Sequence, residues 1–308
     1  MDWRKLSLKK IKLKLLTKLI IIKEAIVLSK FLVSNHGKYQ FSIKDMKLYM
    51  IERGVVLPKA NISSHDNYLN KITINNHIIY WPKLVSSLDL PWLYHEIFDL
   101  YKRNPSSYDN PNMNYSNSKW IIDAGSCEGY FSLFAFEKNE KCFVIALEPL
   151  EEMTQALGKT FENKTNQGKF SLVQKALGKE PGKALFSKSN ESFCDSSIKD
   201  VNSFDQINLD DTYQVEVINL DNLMLEYNLE SDGVIKMDIE GAEMDALEGG
   251  FELMKKHKPK LAIAVYHEYN NALKCKEIIL KANPEYNVEF RGLYGYFKPP
   301  RPYFLFAW

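Results

Sequence analysis

From about residue 118 to the end, short apolar runs alternate with helical patterns, and this alternation limits the fold more than any other feature of the chain. Strands are predicted near residues 119–124, 142–147, 170–175, 213–219, 232–238, 260–267, 286–292 and 302–308. Helices are predicted near residues 129–138, 150–163, 220–228, 241–256 and 270–282. Strands and helices that alternate in this way predict an α/β fold, in which helices cover both faces of a mainly parallel sheet. No helix precedes the last strand, so we expect that strand to pair antiparallel with its neighbour.

The first predicted strand ends at a glycine turn of the kind that lets the backbone approach a ligand. The turn runs from Gly125 to Gly129 and follows Asp123. A dinucleotide fingerprint would read Gly-x-Gly-x-x-Gly, and the middle glycine that makes room for a pyrophosphate is absent here. The second strand ends at Glu148, where an acid accepts hydrogen bonds from ribose hydroxyls. Together these features predict a ligand that contains adenosine but is not a dinucleotide. The alternative is that Glu148 is an exposed residue at an ordinary strand end.

Charge is distributed unevenly along the chain. Residues 1–60 carry 14 Lys or Arg against 4 Asp or Glu, and residues 61–308 carry 26 against 35. The two parts therefore have net charges of +10 and −9, which add up to the formal +1 of the whole chain. Residues 3–33 have the spacing of a helix with one apolar face, and lysines fill much of the remainder. Such a helix either packs on its own protein or lies on an anionic membrane surface.

The N-terminal sequence does not predict a signal peptide or a membrane span, because lysines interrupt every apolar run. The four cysteines, Cys127, Cys142, Cys194 and Cys275, lack metal-ligand spacing and are expected to be free thiols. We therefore expect a cytoplasmic protein, with contact to the inner face of the membrane through residues 3–33 as an alternative. No nucleic-acid partner is expected.

The region before the alternating strands and helices predicts a smaller N-terminal attachment. Besides the helix over residues 3–33, it is expected to contain helices over residues 43–53 and 91–102 and a hairpin over residues 72–81. Residues 104–118 are rich in Pro, Ser, Asn and Tyr and have no periodicity, which predicts a linker. We place the domain boundary there, with the attachment over residues 1–118 and the catalytic domain over residues 119–308.

The strand predicted over residues 232–238 carries two charged residues in an apolar run. Lys236 and Asp238 are two positions apart, so their side chains point to the same face of the sheet. A lysine inside a covered strand must be paired, because an unpaired buried charge costs several kcal/mol. A structural ion pair therefore explains Lys236 about as well as a catalytic role does. Asp238 and Glu240 lie at the carboxyl end of the strand, where ligand sites of parallel sheets are found.

Four motifs, in this order, resemble the FkbM-type family of methyltransferases. They are Asp-Ala-Gly-Ser-Cys-Glu-Gly at 123–129, Ala-Leu-Glu-Pro at 146–149, Lys-Ala-Leu-Gly at 175–178 and Lys-Met-Asp-Ile-Glu-Gly-Ala-Glu at 236–243. The last motif is the most specific, and the resemblance covers about residues 118–308. The resemblance implies a class I, Rossmann-like fold with seven strands, S-adenosylmethionine (AdoMet) as methyl donor, and a hydroxyl of a sugar, glycolipid or polyketide-like metabolite as acceptor.

The resemblance also implies a donor site. Gly125 and Gly129 would frame the amino-acid end of AdoMet, and Glu148 would hold its ribose. Family members often have Gly-Ala-Asn-x-Gly, whereas this chain has Cys127 and Glu128 inside the turn, so the fine contacts to the donor differ. The predicted donor-binding set is Asp123, Gly125, Ser126, Gly129, Glu148 and Pro149.

The predicted catalytic residues are Lys236, Asp238, Glu240 and His267. The strand that ends at Tyr266-His267 also fits the family, some of whose members end it in Tyr-His, and parallel neighbours bring His267 and Asp238 to one edge of the sheet. A hydroxyl is a poor nucleophile until its proton leaves, so a base near the acceptor assists methyl transfer, and imidazole suits neutral pH. We hypothesise that His267 is the general base and that Asp238 orients it or the acceptor. The alternative is a packed histidine without a chemical role.

The same residues leave a metal-dependent alternative open. Asp238, Glu240, Glu243 and His267 could supply oxygen and nitrogen ligands to a divalent ion. Glu243 is equally explained by the first turn of the next helix, where an acid interacts favourably with the helix dipole. We therefore assign no metal from the sequence.

The sequence thus predicts an AdoMet-dependent O-methyltransferase that acts on a hydroxyl of a glycan, glycolipid or secondary metabolite. Two alternatives stay open at this point. One is a catalytically degenerate protein that binds AdoMet or a membrane surface, and the other is a nucleotide-dependent oxidoreductase of similar topology. No motif identifies the acceptor.

Overall fold

A computed structural model describes most of the chain. The described residues are 57–100, 104, 107–187, 197–199, 212–267, 270–294 and 301–308, with eight helical positions between residues 22 and 34. The helix predicted over residues 43–53, and most of the one predicted over residues 3–33, lie outside the described residues.

The elements follow the chain in this order. The N-terminal region contains β1 (Ala60–Ser64), β2 (Leu69–Ile74), β3 (His77–Pro82) and α1 (Leu90–Phe98). The next part contains β4 (Trp120–Ala124), α2 (Tyr130–Lys138), β5 (Phe143–Leu147), α3 (Glu151–Thr160), α4 (Glu162–Asn166), β6 (Phe170–Val173), β7 (Ala176–Leu177), β8 (Gly182–Ser187), β9 (Ser197–Lys199) and β10 (Thr212–Ile218). The last part contains α5 (Leu220–Glu226), β11 (Gly233–Met237), α6 (Glu243–Glu248), α7 (Phe251–His257), β12 (Lys260–Ala264), α8 (Asn271–Ala282), β13 (Val288–Tyr294) and β14 (Arg301–Ala307).

A central sheet of seven strands has the order β13-β14-β12-β11-β4-β5-β6. Its neighbouring strands are parallel except where β14 pairs with β12 and β13, and both of those pairs are antiparallel. The predicted α/β fold, with seven mainly parallel strands and an antiparallel C-terminal strand, is therefore confirmed. Strand order reverses between β4 and β11, and in sheets of this kind ligands bind outside the carboxyl ends of the strands at such a switch point.

Successive residues of the central strands alternate between two apolar cores, because side chains of a strand point to opposite faces. Ile122 and Ile235 lie in the core that α5, α6, α7 and α8 cover, and all of these helices contribute buried side chains to it. Ile121 and Val234 lie in the other core, together with buried residues of α1, α2 and α3. Burial on both faces explains why these strands read as continuous apolar runs.

The N-terminal region packs into the second of these cores. Its hairpin is present as β2 and β3, and β1 extends it to a three-stranded antiparallel sheet. Tyr80 donates its backbone N–H to Thr160 Oγ1 of α3 at 2.9 Å. The segment predicted as a linker is not an exposed connection, because Tyr108, Met113 and Tyr115 are buried in the same core. Its aperiodic sequence reflects two short 3₁₀ turns packed under the sheet.

Three local predictions differ from the structure. The strand predicted at 213–219 forms β10, which joins a separate sheet of order β7-β10-β8-β9. The helix predicted over residues 241–256 breaks at Gly249, where an added Cβ would lie 2.5 Å from the carbonyl oxygen of Gly178. The predicted free thiol at Cys127 is wrong, since that residue is disulfide-bonded, whereas Cys142 and Cys275 are free.

The apolar face predicted for residues 3–33 is open to solvent where it is described. Ile22 and Ile26 belong to that face, and they are 55% and 52% exposed. At these two positions the helix therefore does not pack on the rest of the protein. No helix among the described residues is long and apolar enough to cross a bilayer.

Candidate active site

The glycine turn after β4 is built from two positions that only glycine fits. Gly125 has φ +73°, and a Cβ there would lie 1.9 Å from the carbonyl oxygen of Asp238. Gly129 has φ +82°, and its Cβ would lie 2.8 Å from side-chain atoms of Leu157 and Phe161. Residues that have a Cβ are strained at such φ values. The first glycine thus brings the turn against the end of β11, and the second brings α2 against α3.

A buried ion pair between Lys236 and Asp123 contacts this turn and stabilises it. Lys236 Nζ lies 3.2 Å from Asp123 Oδ1, and it donates to the carbonyl oxygen of Gly125 at 2.7 Å. Ser132 Oγ donates to the other carboxylate oxygen of Asp123 at 2.7 Å. Burial disfavours the charged lysine, but the carboxylates of Asp123, Asp238 and Glu128 outweigh this effect and raise the pKa of Lys236.

Two residues of the predicted donor-binding set are enclosed by the turn. Asp123 is fully buried, and Ser126 donates its hydroxyl to the carbonyl oxygen of Asp123 at 2.7 Å. Both side chains hold the backbone of the turn and leave its backbone groups as the surface available to a donor. Lys236, predicted as catalytic, contacts the turn in the same way.

Glu148 holds the turn from the other side. Its Oε2 accepts the backbone N–H of Cys127 and its Oε1 accepts that of Leu150, both at 3.0 Å. Burial raises the pKa of Glu148 to about 7, in spite of these hydrogen bonds and of Lys236. Next to it, Pro149 lines a cavity of about 570 Å³ together with Glu151, Glu152, Gln174, Gln214, Val215 and Glu216. Glu148 thus lies next to a residue that lines a cavity, at the position predicted for the nucleoside.

These residues fit AdoMet, which carries a positive sulfonium and a positive ammonium group. Burial raises the pKa of Glu128, inside the turn, to about 7, as it does that of Glu148. A buried carboxylate whose ionisation is disfavoured gains from a cationic ligand nearby. The space that Gly125 and Gly129 leave open and these two acids therefore suit a cationic adenosine ligand.

At the carboxyl ends of β11 and β12, Asp238, Glu240 and His267 come together. His267 Nε2 lies 3.5 Å from Asp238 Oδ1 and 3.2 Å from Glu240 Oε2. The opposite ring nitrogen, Nδ1, lies 3.1 Å from Glu243 Oε1. We call Asp238, Glu240, Glu243 and His267 the edge cluster. The predicted meeting of His267 with Asp238 is thus present in the structure, and two further carboxylates join it.

The local backbone explains how Glu240 and Glu243 reach His267. Glu240 has φ +58° and Gly241 has φ +103°, so the chain turns sharply back after Asp238. Glu243 Oε1 accepts the backbone N–H groups of Ile239 at 3.1 Å and of Gly241 at 3.2 Å. Glu243 is fully buried, which fixes its carboxylate against the imidazole.

The pKa values of this cluster depend on burial and on the close charges. Burial raises the pKa of Asp238, in spite of the neighbouring His267 and Lys236. For His267, burial disfavours the imidazolium, but Glu240 and Glu243 outweigh this effect and raise its pKa well above the usual value. The geometry therefore shows that His267 shares its site with three carboxylates, and its role as the general base stays a prediction.

Two features of the site had no signal in the sequence. Tyr108 donates its hydroxyl to Asp238 Oδ2 at 3.2 Å, although it comes from the aperiodic segment 130 residues away. Arg301 Nη1 donates to the carbonyl oxygen of Tyr266 at 2.8 Å and also to that of His267. Such long-range contacts between irregular segments cannot be found from hydrophobic periodicity. Of the predicted site residues, Asp238, Glu240 and His267 form one group. Gly125 and Gly129 begin and end the adjacent turn, and Glu148 and Pro149 lie beside it.

Comparisons with known proteins agree with these motifs. The sequence model of the Methyltransferase FkbM domain matches residues 123–289, more than half of the chain. The structure is similar to that of methyltransferase FkbM from Methylobacillus flagellatus KT, with a TM-score of 0.49 and 22% identity over 70% of this chain. The match spans 50% of that protein, so this chain covers about half of its length. No curated protein matches the sequence.

Other similar structures are more distant in sequence. One is M. jannaschii TYW2, solved with AdoMet, with a TM-score of 0.39 and 9% identity over 80% of this chain and 87% of that one. Another is the O-methyltransferase from Bacillus cereus, solved with S-adenosylhomocysteine (SAH), with a TM-score of 0.35 and 11% identity over 64% and 80% of the two chains.

Proposed function

The chain belongs to the FkbM methyltransferase family, and we propose that it is an AdoMet-dependent O-methyltransferase. The observation that carries this proposal is the contact between two parts of the site. We call the glycine turn from Gly125 to Gly129 the donor turn. Its first residue, Gly125, lies directly against the backbone of Asp238, the first residue of the edge cluster. A donor seated in the turn would therefore lie next to the group of acids and imidazole that can receive an acceptor.

We propose that the donor is bound by the glycine turn and by Glu148. AdoMet supplies a methyl group on a sulfonium, which makes that carbon open to attack by oxygen. Glu148 already fixes the backbone at Cys127 and Leu150, and its carboxylate would accept hydrogen bonds from the ribose hydroxyls. Lys236 and Asp123 keep the turn in this conformation by their buried contacts.

We propose that the acceptor hydroxyl binds at the edge cluster. In the reaction the C–O bond forms as the C–S bond breaks, the hydroxyl proton leaves, and the products are SAH and a methyl ether. Asp238, Glu240 and His267 supply the groups that accept hydrogen bonds from the hydroxyl, orient it and assist the loss of its proton. His267 is the base predicted from the sequence, and the neighbouring carboxylates stabilise the imidazolium that would form.

A glycan, glycolipid or secondary metabolite is the acceptor class that we propose. Half-buried Tyr266 and Tyr294 stack at 4.3 Å between ring centroids, and Tyr266 lies 4.1 Å from the ring of His267. Aromatic side chains offer a large apolar surface at such a site. A polyhydroxylated ring with one apolar face would bind beside these tyrosines, with its hydroxyls toward the carboxylates of the edge cluster.

Transfer of tritium from methyl-labelled AdoMet to a panel of hydroxyl-bearing glycans and aglycones tests this function. We expect label in at least one acceptor, stable to base as a methyl ether is, together with one equivalent of SAH. The Glu252→Gln variant serves as a control, because that residue has a side chain 44% exposed on α7, outside the donor turn and the edge cluster. SAH binding without label in any hydroxyl acceptor would favour the degenerate alternative, and consumption of NAD(P)H would favour the oxidoreductase.

A further inference from the structure

The edge cluster has the spacing of a metal site. One ligand atom from each of Asp238, Glu240 and His267 lies within 4.8 Å of the other two. The two separations that involve His267 Nε2 are 3.2 Å and 3.5 Å. Atoms about 2.1 Å from one ion lie about 3.0 Å apart at octahedral angles and about 3.4 Å apart at tetrahedral angles. The observed separations are thus those of neighbouring ligands around a single cation.

The imidazole of His267 is buried and aimed into this space. Its side chain is 9% exposed, and although its ring nitrogens lie 3.1–3.5 Å from carboxylate oxygens, neither is aligned for a hydrogen bond with the described residues. Asp238 Oδ1 is likewise buried without a hydrogen-bond partner in the described part of the chain. Buried polar atoms are nearly always satisfied, so a group of them that points to one space calls for a ligand there.

Glu243 occupies the place of an outer partner for such a site. It is fully buried and lies 3.1 Å from His267 Nδ1, on the opposite side of the ring from Asp238 and Glu240. Histidines that bind metals commonly donate their second ring N–H to a carboxylate, which fixes the tautomer and the ring orientation. Glu243 itself is held by two backbone N–H groups, so it is rigid.

We propose that Asp238, Glu240 and His267 bind a divalent cation, with Glu243 as the positioning residue behind His267. Two carboxylates and one imidazole without a thiolate suit a hard to borderline ion such as Mg²⁺ or Mn²⁺. Asp238 and Glu240 are 24% and 20% exposed, so solvent reaches both carboxylates, and water or an acceptor oxygen would complete the coordination. In the proposed reaction a bound cation would lower the pKa of the acceptor hydroxyl and so replace proton removal by His267, whose Nε2 would then be a ligand; this last step rests on the proposed function.

Titration of the full-length apoprotein with Mn²⁺, followed by electron paramagnetic resonance, tests the site without any substrate. We expect one saturable site and ¹⁴N modulation from a directly bonded imidazole. Glu240→Gln and His267→Gln should weaken Mn²⁺ binding at least about tenfold, and Glu243→Gln about 10- to 100-fold, as outer partners of metal sites do. His267→Gln should also remove the ¹⁴N signal, and Glu252→Gln should bind as the wild type does.

Two results would overturn the inference, and neither depends on methyl transfer. One is the absence of saturable Mn²⁺ binding, and the other is equal affinity in Glu240→Gln, His267→Gln and Glu252→Gln. Thermal unfolding of each variant shows that it is folded when it is titrated. A protein that binds Mn²⁺ but methylates nothing would contradict the proposed function alone, and one that methylates fully after chelation without binding Mn²⁺ would contradict the metal site alone.

Discussion

At Gly125 the backbones of two neighbouring strands come so close that no side chain fits between them. The carbonyl oxygen of Asp238 occupies the place of a Cβ at this residue, 1.9 Å from where that atom would be. This contact joins the donor turn to the edge cluster, so one glycine determines the relative position of both halves of the site. Gly168 has a similar φ of +67° but nothing within 4 Å of its Cβ position.

The pair of glycines gives a matched test of this contact. Gly168→Ala should lower the free energy of unfolding by about 1 kcal/mol, because the new side chain meets no other atom and the only cost is the left-handed backbone conformation. Gly125→Ala adds a collision with backbone, so we expect a loss of about 3 kcal/mol or more and loss of SAH binding. Denaturant unfolding and SAH calorimetry measure the two effects, and equal behaviour of the variants would show that the contact at Gly125 is not needed.

Lys236 is a residue whose role follows from its contacts alone. It is buried beside Asp123, whereas Lys119 and Asp232 form an ion pair at 3.0 Å that is largely exposed. Breaking a buried pair leaves an uncompensated charge, so Lys236→Met should destabilise the protein by about 3–5 kcal/mol. Lys119→Met should change little, because exposed pairs are weak. Thermal or urea unfolding measures both, and a near-neutral Lys236→Met would contradict the structural role.

At the scale of elements, the aperiodic segment before β4 delivers a side chain to the active site. Tyr108 and Tyr115 are both buried there, but only Tyr108 donates to Asp238; Tyr115 donates to the carbonyl oxygen of Tyr108 at 2.8 Å. The segment is therefore part of the candidate active site, although its sequence indicates a linker.

Removing the hydroxyl of Tyr108 and that of Tyr115 in separate variants distinguishes the contact with Asp238 from the contact with the backbone of Tyr108. Tyr108→Phe and Tyr115→Phe should each cost about 1 kcal/mol of stability, as one hydrogen bond does. Only Tyr108→Phe should lower kcat, because Asp238 then loses a partner that orients it. Steady-state kinetics beside thermal unfolding measures the difference. If both variants kept wild-type kcat, Tyr108 would be a packing residue only.

The elements also show how far the sequence predicts this fold. Strands such as β4, β5, β11 and β12 are largely apolar, so their positions and the α/β class follow from the sequence pattern. The placement of β10 in a second sheet does not, because a strand pattern carries no information about its partner. At the site, Asp238, Glu240 and His267 are found from strand ends and from the family motif. Tyr108 and Arg301 are not, because their contacts join irregular segments far apart in sequence.

At the scale of the whole molecule, the N-terminal region both packs into the core of the protein and exposes apolar side chains. Residues of β2 and β3 lie in the same apolar core as α2 and α3. In contrast, Ile22, Ile26 and Val33 on the basic N-terminal helix expose 55%, 52% and 81% of their surface. Apolar side chains on a lysine-rich helix suit an anionic lipid surface.

Vesicle sedimentation tests the predicted membrane contact. The full chain should pellet with phosphatidylglycerol vesicles more than with phosphatidylcholine vesicles, and salt should reduce the difference because it screens the lysines. A chain that lacks residues 1–35 should stay in the supernatant. Equal pelleting of both chains would show that the helix has no part in membrane contact.

Calorimetry of SAH binding tests the central claim, that the glycine turn and Glu148 form a donor site. We expect one site that weakens up to about tenfold from about pH 8 to about pH 6, because Glu148, with its pKa raised to about 7, must be ionised to accept the ribose hydrogen bonds. Glu148→Gln should bind more weakly at about pH 8 and with a smaller pH dependence, whereas Glu162→Gln, on the exposed surface, should bind like the wild type. Absence of SAH binding, or wild-type affinity in Glu148→Gln, would contradict the account.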